Sequence, residues 1–412
     1  MRKAILIAGA GMLCSLAMLA QPHSNHRSVS GTARLAAYKQ HEALSQSSPY
    51  KTVQWRQTGP NYISGRVTDV WGLPGNKNIM YAAKATSGLW KTTDAGLTWQ
   101  PLFDRQPTLN MGAMAIAPSN PNILYVGTGE TNIFRASLPG MGLFKSTDAG
   151  FSWQHLGLEN TGTISRVVVH PNNPNVVYVA AGGNEWSYNP DRGVYQTTDG
   201  GKTWKKILYE NEMSGCNDLI MDPNDPNTLY ASMWNRVRKR WSDPIPEDGD
   251  HIYKTTDGGK TWKPLTNGLP DTKYTGRIGL AMSAKNSNIV YAFVDNHTPK
   301  REPKPGELDP YGRPIQIVPM GVQVWRSDDK GENWRKVSTE DEKLERFAGT
   351  YGWVFSQIRV DPNDENTVYI MGVPFAKSTD GGKTFKTIIT WGKDYKGEPV
   401  HGDHHAMWMD PN

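Results

Sequence analysis

The segment Lys254-Thr-Thr-Asp-Gly-Gly-Lys-Thr-Trp262 is one copy of a motif that recurs along the chain. The shared pattern approximates Ser/Thr-x-Asp-x-Gly-x-Thr-Trp, and its aspartates are Asp94, Asp148, Asp199, Asp257, Asp329 and Asp380. The fifth copy is degenerate, and the sixth ends in Phe385 instead of tryptophan. Neighbouring aspartates lie about 50 to 70 residues apart, a spacing that indicates a propeller or a solenoid.

The composition of the motif predicts a tight turn between two β-strands. The aspartate carboxylate is expected to accept hydrogen bonds from N–H groups of the turn. The glycine supplies a backbone conformation that residues with a Cβ adopt reluctantly, and the tryptophan is expected to fold across the hairpin as an apolar plug. We therefore interpret these aspartates as structural rather than catalytic.

Each repeat also carries two further strand signals and a turn rich in proline and asparagine, such as residues 171–175. The second strand of each repeat contains a tyrosine: Tyr81, Tyr125, Tyr178, Tyr230, Tyr291 or Tyr369. Four antiparallel strands per repeat are typical of a β-propeller blade, whereas a parallel solenoid would need shorter and more uniform repeats. The prediction is an all-β propeller with six complete blades. Residues 402–412 resemble the start of a seventh, which predicts a seven-bladed propeller truncated at its C-terminus.

The N-terminus has a different character from the repeats. Arg2 and Lys3 precede an apolar run over residues 4–20, the layout of a secretory signal peptide. That run is short for a spanning helix. The predicted organisation is a signal peptide over residues 1–20, a polar linker or short helix over 21–52, and the propeller over 53–412. We expect a secreted, periplasmic or cell-surface protein without stable membrane insertion after cleavage. Cys216 would then be the one remaining cysteine, which excludes an internal disulfide.

Charge and composition narrow the class of partner. The net charge is only +5, and the basic residues are scattered, which argues against nucleic acid as a partner. Nothing in the sequence calls for a cofactor, and no metal site is assigned. A peptide, a protein or a glycan remains the expected ligand.

Strand alternation predicts which face binds this ligand. If strands A to D run from the axis outward, the A–B and C–D connections share one face, and the B–C and D–A connections share the other. The aspartate motifs lie on the first face, and the longest connections lie on the second, where loops on a rigid scaffold commonly carry function. The candidate ligand-binding residues there are Arg66, Arg166, Arg277, Trp186, Trp234 and Trp241. The three arginines begin inner strands and could hold a carboxylate or sulfate. The alternative is that these are solvated loops that pack on each other.

The candidate catalytic residues are Glu130, Asp403 and His404. Residues 401–405, His-Gly-Asp-His-His, are the densest polar group in the chain. They could supply a general acid or base, ligands for a divalent metal, or a carboxylate that orients a histidine. Neighbours on one strand point to opposite faces, so alternate members at most could meet at one site. Glu130 is the best lone carboxylate, although a capped turn explains it equally well.

The repeats resemble the BNR/Asp-box propellers. The stretches Trp55-Arg-Gln-Thr-Gly-Pro60, Gly65-Arg-Val-Thr-Asp-Val70, Ser87-Gly-Leu-Trp-Lys-Thr-Thr-Asp94 and His401-Gly-Asp-His-His-Ala406 are similar to bacterial sortilin-like members. The resemblance covers about residues 53–412. Asp boxes are shared by sialidases, xyloglucan-type glycosidases, sortilins and photosystem assembly factors, so they indicate the fold and not the function.

The resemblance implies several functions. Sialidases carry a Phe/Tyr-Arg-Ile-Pro motif that does not occur here. Xyloglucan-type hydrolases use two facing propellers with an aspartate pair, for which this sequence offers no clear match, and sortilins bind peptides. The expectation is a sortilin-like binding module that acts through the face opposite the Asp boxes. The alternative is a glycoside hydrolase, xyloglucanase-like or sialidase-like, acting on extracellular polysaccharide, and a third possibility is a structural or assembly propeller.

Overall fold

The computed structural model describes residues 30–53, 65–132, 137–237, 251–308, 312–315, 317–339, 344, 352–390, 392–394 and 396–412. The predicted signal peptide and the candidate Trp241 lie outside these residues. Within them, no helix combines the length and apolar character needed to cross a bilayer.

The first three repeats each form a four-stranded antiparallel sheet. Blade 1 contains β1 (Val67–Leu73), β2 (Asn76–Lys84), β3 (Gly88–Thr92) and β4 (Gln100–Pro101). Blade 2 contains β5 (Met111–Ala117), β6 (Asn120–Thr128), β7 (Leu143–Ser146) and β8 (Gln154–His155). Blade 3 contains β9 (Ile164–Val169), β10 (Val177–Ala181), β11 (Gly193–Thr197) and β12 (Lys205–Leu208).

The next three repeats have the same topology. Blade 4 contains β13 (Ser214–Asp222), β14 (Asp225–Asn235), β15 (Ile252–Thr255) and β16 (Lys263–Leu265). Blade 5 contains β17 (Thr275–Met282), β18 (Val290–Arg301), β19 (Val318–Ser327) and β20 (Arg335–Lys336). Blade 6 contains β21 (Gln357–Asp361), β22 (Asp364–Met371), β23 (Phe375–Ser378) and β24 (Lys386–Ile389). A two-stranded hairpin follows, with β25 (Gly392–Lys393) and β26 (Pro399–Val400).

The innermost strands pack side by side in the order β1, β5, β9, β13, β17 and β21. The predicted all-β propeller with six four-stranded blades is therefore confirmed. Apolar clusters fill the spaces between neighbouring sheets, for example the cluster in which Val177 and Ile164 pack with Ala115 and Tyr125 of the preceding blade.

Residues 403–412 lie between blade 6 and blade 1. The amides of Asp403 and His404 donate to the carbonyls of Val373 (2.9 Å) and Gly372 (2.8 Å) in blade 6. On the other side, the Asp410 carboxylate accepts from the Gly75 amide of blade 1 at 3.1 Å. Trp408 approaches Gly72 so closely that a Cβ there would lie 2.3 Å from its ring. This segment thus connects blade 6 to blade 1.

Each Asp box forms the hydrogen-bonded turn that its sequence predicts. In blade 4, the Asp257 carboxylate accepts from the Thr261 amide (3.0 Å), the Thr261 hydroxyl (2.6 Å) and the Thr255 hydroxyl (2.8 Å). Equivalent bonds surround Asp94, Asp148, Asp199, Asp329 and Asp380. These bonds hold the pKa of Asp257 well below its usual range, because each favours the ionised carboxylate.

The Asp boxes and the A–B turns share one face, which we call the box face. The amide of Gly258 in the box of blade 4 donates to the Asn227 carbonyl of the A–B turn at 2.9 Å. The same contact joins Gly200 to Asn175 in blade 3 and Gly381 to Asn366 in blade 6. The opposite face, formed by the B–C and D–A connections, is called the loop face.

The recurrence of a tyrosine on each B strand has a clear structural role, since in blades 1 to 5 its hydroxyl ties the blade to the next one. The Tyr230 hydroxyl of blade 4 donates to the Lys330 carbonyl in the box of blade 5 at 2.8 Å. Equivalent bonds run from Tyr81 to Ala149, Tyr125 to Pro174, Tyr178 to Gly258 and Tyr291 to Glu365. Blades 1 to 5 therefore each present a donor on strand B, and blades 2 to 6 each present an acceptor on the box face.

The box tryptophans differ from the expectation that they close their own hairpins. The indole N–H of Trp153 donates to the Leu102 carbonyl of blade 1 at 2.9 Å, and that of Trp204 donates to the Leu156 carbonyl of blade 2 at 2.8 Å. Only Trp99 among these three bonds within its own turn, to the Gly96 carbonyl at 3.1 Å. The indole is long enough to reach the preceding blade, so it closes the gap between blades.

Helix α1 (Gly31–Ser47) precedes the propeller and lies against the loop face of blades 1 and 2. The Ser30 hydroxyl caps the helix by accepting from the Ala33 amide at 3.1 Å. The Arg34 guanidinium donates to the Gly140 carbonyl at 2.8 Å, and the Tyr38 hydroxyl donates to the Arg105 carbonyl at 2.6 Å. Of the two alternatives predicted for this region, the structure shows a surface helix.

The tyrosine tie predicts a measurable loss of stability. Tyr230→Phe removes the hydroxyl but keeps the buried ring, so we expect the free energy of unfolding to fall by about 1 kcal/mol. Tyr369→Phe is the matched control, because Tyr369 occupies the same repeat position and its hydroxyl has no hydrogen bond among the described residues. Urea denaturation followed by circular dichroism measures both. An equal loss in the two variants would contradict the role assigned to the tie.

The Asp boxes predict acid sensitivity. A carboxylate whose pKa is depressed in the folded state contributes stability above its unfolded pKa of about 3.9, and this contribution is lost as the pH falls toward the folded pKa. We expect Asp257→Asn to lower the urea midpoint at pH 7, and the difference from wild type to shrink as the pH approaches about 2. Asp104→Asn is the control, since Asp104 is exposed and the described residues give it no hydrogen bond. A difference that stays constant with pH would refute this explanation.

Candidate functional site at the loop face

The loop face carries the longest connections of the propeller. Residues 129–132 and 137–142 of blade 2 and residues 182–192 of blade 3 form irregular connections. Blade 5 carries a long hairpin at this face, because β18 and β19 remain paired far along their length: Asn296 pairs with Gly321, and Arg301 pairs with Val318. Among the described residues, this face therefore combines irregular connections in blades 2 and 3 with a projecting hairpin in blade 5.

An ion pair joins blades 1 and 2 at the start of the channel. Arg66 precedes β1, and two of its guanidinium nitrogens donate to the Glu130 carboxylate, one of them at 2.7 Å. Glu130 is fully buried, whereas the Arg66 side chain is 29% exposed. The bond to Glu130 raises the pKa of Arg66 against the effect of burial, and the charges of Asp403 and Glu185 add to the rise. Glu130, a candidate catalytic carboxylate, is thus held inside the protein by an arginine.

Arg277 crosses the axis beneath this pair. It is 1% exposed, and its guanidinium donates to the Trp353 and Val354 carbonyls of blade 6 and to the Asn132 amide oxygen of blade 2 at 3.1 Å. Burial lowers its pKa to about 9, and the charge of Arg236 adds to this. The three candidate arginines are therefore not arranged around one ligand, because each is bound to different protein atoms.

Arg166 lies deeper in the channel than the other two. Its Nε donates to the Asp218 carboxylate at 2.6 Å, and its Nη2 donates to the Gln357 amide oxygen at 2.9 Å. Burial opposes its charge, but Asp218 and Asp69 hold its pKa above the usual value. Arg166 therefore belongs to the middle of the channel and not to the loop-face surface.

The segment 403–405 brings three ionisable groups of different exposure to the mouth of the channel, at the loop face. Asp403 is exposed, with a positive φ of 69°, and its charge acts on Arg66. His405 is buried and stacks on Phe355 at 5.0 Å between ring centroids. Burial lowers the pKa of His405 to about 3, helped by Arg277 and Arg66, so this imidazole is neutral at physiological pH. His404 is half-buried, and burial lowers its pKa as well.

The sequence interpretation missed an aspartate–histidine pair on blade 5. His297 Nε2 lies 3.0 Å from the Asp295 carboxylate, and the His297 side chain is 31% exposed. Both residues follow the apolar part of β18 at alternate positions, so they share one face of the strand. That alternation, at the loop-face end of a B strand, was the available signal.

The candidate aromatic residues separate into surface and core. Trp186 is 50% exposed, and Tyr188 in the same loop is 63% exposed. Trp234 differs from the expectation of a ligand contact: it is 1% exposed and packs with Trp353, Phe355 and Val373. Only the blade 3 loop therefore presents aromatic surface from among the described candidates.

The histidine-rich segment 401–405 does not assemble with other ligating side chains. Across the described ranges, no group of three or more His, Cys, Asp or Glu side chains has the geometry of a metal site. The partly or fully exposed groups at the loop-face end of the channel are therefore carboxylates, imidazoles, a guanidinium group and aromatic rings.

The Arg66–Glu130 pair predicts unequal effects of its two partners. Arg66→Met leaves a buried carboxylate without its cation, whereas Glu130→Gln leaves an arginine that can reach solvent. We expect the free energy of unfolding to fall by about 3 kcal/mol for Arg66→Met and less for Glu130→Gln. The double variant should lose less than the sum of the two, as measured by urea denaturation. Additive losses would contradict a coupled pair.

Comparisons with known proteins agree with this fold. The family model for sortilin, neurotensin receptor 3 (Sortilin-Vps10), matches residues 142–307, which confirms the predicted sortilin-like resemblance over that stretch. The xyloglucanase Xgh74A of Acetivibrio thermocellus is 24% identical over 371 residues, which cover 81% of this chain and 40% of the relative. The chain thus spans less than half the length of this relative.

Two solved structures share the architecture. The GH74 xyloglucanase of Xanthomonas campestris superimposes with a TM-score of 0.55 at 17% identity, over 84% of this chain and 49% of that structure. YCF48, solved bound to a D1 peptide, superimposes with a TM-score of 0.51 at 15% identity, over 85% of this chain and 90% of that structure. This chain therefore folds as a β-propeller and is similar in sequence to xyloglucanases and, over residues 142–307, to the sortilin family model.

Proposed function

We propose that this chain is the glycan-binding propeller of an exported glycoside hydrolase that acts on an extracellular polysaccharide through the loop face. The relatives that align over about four-fifths of the chain are named xyloglucanases. This similarity favours the hydrolase over the sortilin-like peptide-binding module, the main expectation from the sequence. The signal-peptide pattern of residues 1–20 supports export.

The observation that carries the proposal is the exposed aromatic loop of blade 3. Trp186 and Tyr188 offer apolar ring faces beside Glu185, whose charge reaches Arg66 at the mouth. Sugar rings have apolar faces that pack on aromatic rings and hydroxyl groups that need charged or polar partners. Surface rings together with an exposed carboxylate on the same face, Asp403, meet both requirements.

The buried charges restrict the roles available to individual residues. Glu130 is enclosed and bound to Arg66, so we assign it to the scaffold of the mouth. Asp403 and the Asp295–His297 pair retain exposed atoms and are the proposed acid–base groups. Hydrolysis of a glycosidic bond needs a second carboxylate about 5–10 Å from the first, which in xyloglucan-type hydrolases faces the first propeller from another.

Binding is tested by affinity electrophoresis of the full chain in gels containing xyloglucan or other polysaccharides. We expect Trp186→Ala to weaken retention by about tenfold, because an aromatic contact contributes about 1 kcal/mol or more. Phe151→Ala is the matched control, since Phe151 is 66% exposed in the Asp box of blade 2 on the opposite face. Equal effects of the two substitutions would contradict binding at the loop face.

Hydrolysis is tested by the release of reducing sugar from the same polysaccharides. Asp403→Asn should lower kcat by at least about 100-fold while gel retention is unchanged, as expected for a general acid or base. Retention on a polysaccharide without any sugar release by the wild type would leave a glycan-binding module. Neither retention nor release on any glycan would reject the proposal.

A peptide-binding module is the second candidate. The specific observation in its favour is that the superposition covers 90% of YCF48, a propeller solved with a bound peptide. Selection from a random peptide library on the wild type, with counter-selection on Trp186→Ala, would distinguish the two. Enrichment of peptides together with no glycan retention would favour this candidate.

A further inference from the structure

The central channel contains a cavity that is separate from the loop-face mouth. It has a volume of about 420 Å³ and is lined by inner strands of all six blades and by residues 407–409. Its lining includes Pro118, Pro223 and Pro362 in three A–B turns, so the cavity reaches the box face. Among the described residues, Arg66, Glu130 and Arg277 do not line it, and they lie nearer to the loop face.

The walls toward the box face are apolar and adaptable. Trp71 and Trp408 contribute aromatic surface, and Met221, Met282, Met407 and Met409 contribute thioether side chains, all only partly buried because they face the cavity. Unbranched methionine side chains can fit ligands of different shapes. A volume of this size lies within the roughly 300–1,000 Å³ of small-ligand pockets.

The inner end of the cavity is charged. Arg166 is paired with Asp218, and the Asp69 carboxylate accepts from the amides of Met114 and Val70. Arg359 differs from Arg166. The Arg359 guanidinium donates to the carbonyl of the preceding residue, Ile358, at 2.7 Å, and its distance to the Gln357 amide oxygen is a long 3.5 Å. No carboxylate in the described part of the chain lies within ion-pairing distance of it.

Arg359 keeps its charge despite this environment. Burial, together with the charge of Arg166, lowers its pKa to about 10, which still leaves it protonated at neutral pH. The charges of Asp218 and Asp69 act on Arg359 from beyond ion-pairing distance and oppose this lowering, so no carboxylate is bound directly to its guanidinium. A ligand carboxylate at this position would form charge-assisted hydrogen bonds with that guanidinium. The apolar walls then exclude water from the rest of such a ligand.

We propose that the channel is a binding site for a small amphipathic carboxylate, with its carboxylate at Arg359 and its apolar body between the tryptophans and methionines near the box face. The site is independent of glycan binding at the loop face. Loss of one activity therefore leaves the other intact.

The test uses isothermal titration calorimetry of the full chain with octanoate and 4-phenylbutyrate, and with their neutral amides. We expect both carboxylates to bind at one site and the amides to bind at least about tenfold more weakly. Arg359→Met should reduce carboxylate affinity to that of the amides. Arg105→Met is the matched control, since Arg105 is exposed on the loop face, and it should bind like the wild type.

A second variant covers the case in which Arg359→Met does not fold. Met282→Trp keeps every charge but fills part of the cavity, so it should weaken both carboxylates and amides. The proposal is overturned if the folded wild type binds neither carboxylate, if carboxylate and amide bind equally, or if Arg359→Met or Met282→Trp binds as tightly as the wild type.

Discussion

The propeller depends on hydrogen bonds and apolar contacts that cross from one blade to the next. A four-stranded blade is a small sheet with two apolar faces, and it gains most of its stability by packing those faces on neighbours. Tyr230 on a B strand donates to the next box at Lys330, while Trp204 of a box donates back to the preceding blade at Leu156. A glycine of the Asp box has a related role. In the box of blade 4, a Cβ at Gly259 would lie 2.5 Å from Ile207 of blade 3. The repeated residues are therefore those of the interface between blades.

This arrangement separates a constant face from a variable one. The box face has its turns bonded to each other, as Gly258 is bonded to Asn227, so its backbone has little freedom to change. The loop face lies at the other ends of the same strands, and changes there do not disturb the ties between blades. The projecting hairpin of blade 5 and the aromatic loop of blade 3 occur on this side for that reason. A scaffold built in this way can change ligands without losing its fold.

The Asp-box turns could be predicted from sequence because their hydrogen bonds are local and the motif recurs six times. The Asp257 turn, the strand order and the two faces follow from spacing and alternation alone. Burial at the mouth could not be predicted, because it depends on which loops meet across the axis. Asn132 of blade 2 encloses Arg277 of blade 5, a contact over 145 positions in sequence. The burial of Trp234 could not be predicted for the same reason, since a tryptophan at the end of a B strand can face solvent or a neighbouring blade.

Compensation of charge distinguishes the arginines of the channel from each other. Arg66 and Arg166 each have a carboxylate, and Arg277 has two carbonyls and an amide oxygen, so all three guanidinium groups are bound directly to atoms of other blades. A buried charge that is already satisfied holds strands in register, because moving it would expose both partners. Arg359 bonds directly to a neighbouring carbonyl and approaches an amide oxygen at 3.5 Å, the charges of Asp218 and Asp69 act on it from further away, and it faces an open cavity. The same side chain can therefore be structural at three positions around the axis and remain available to a ligand at the fourth.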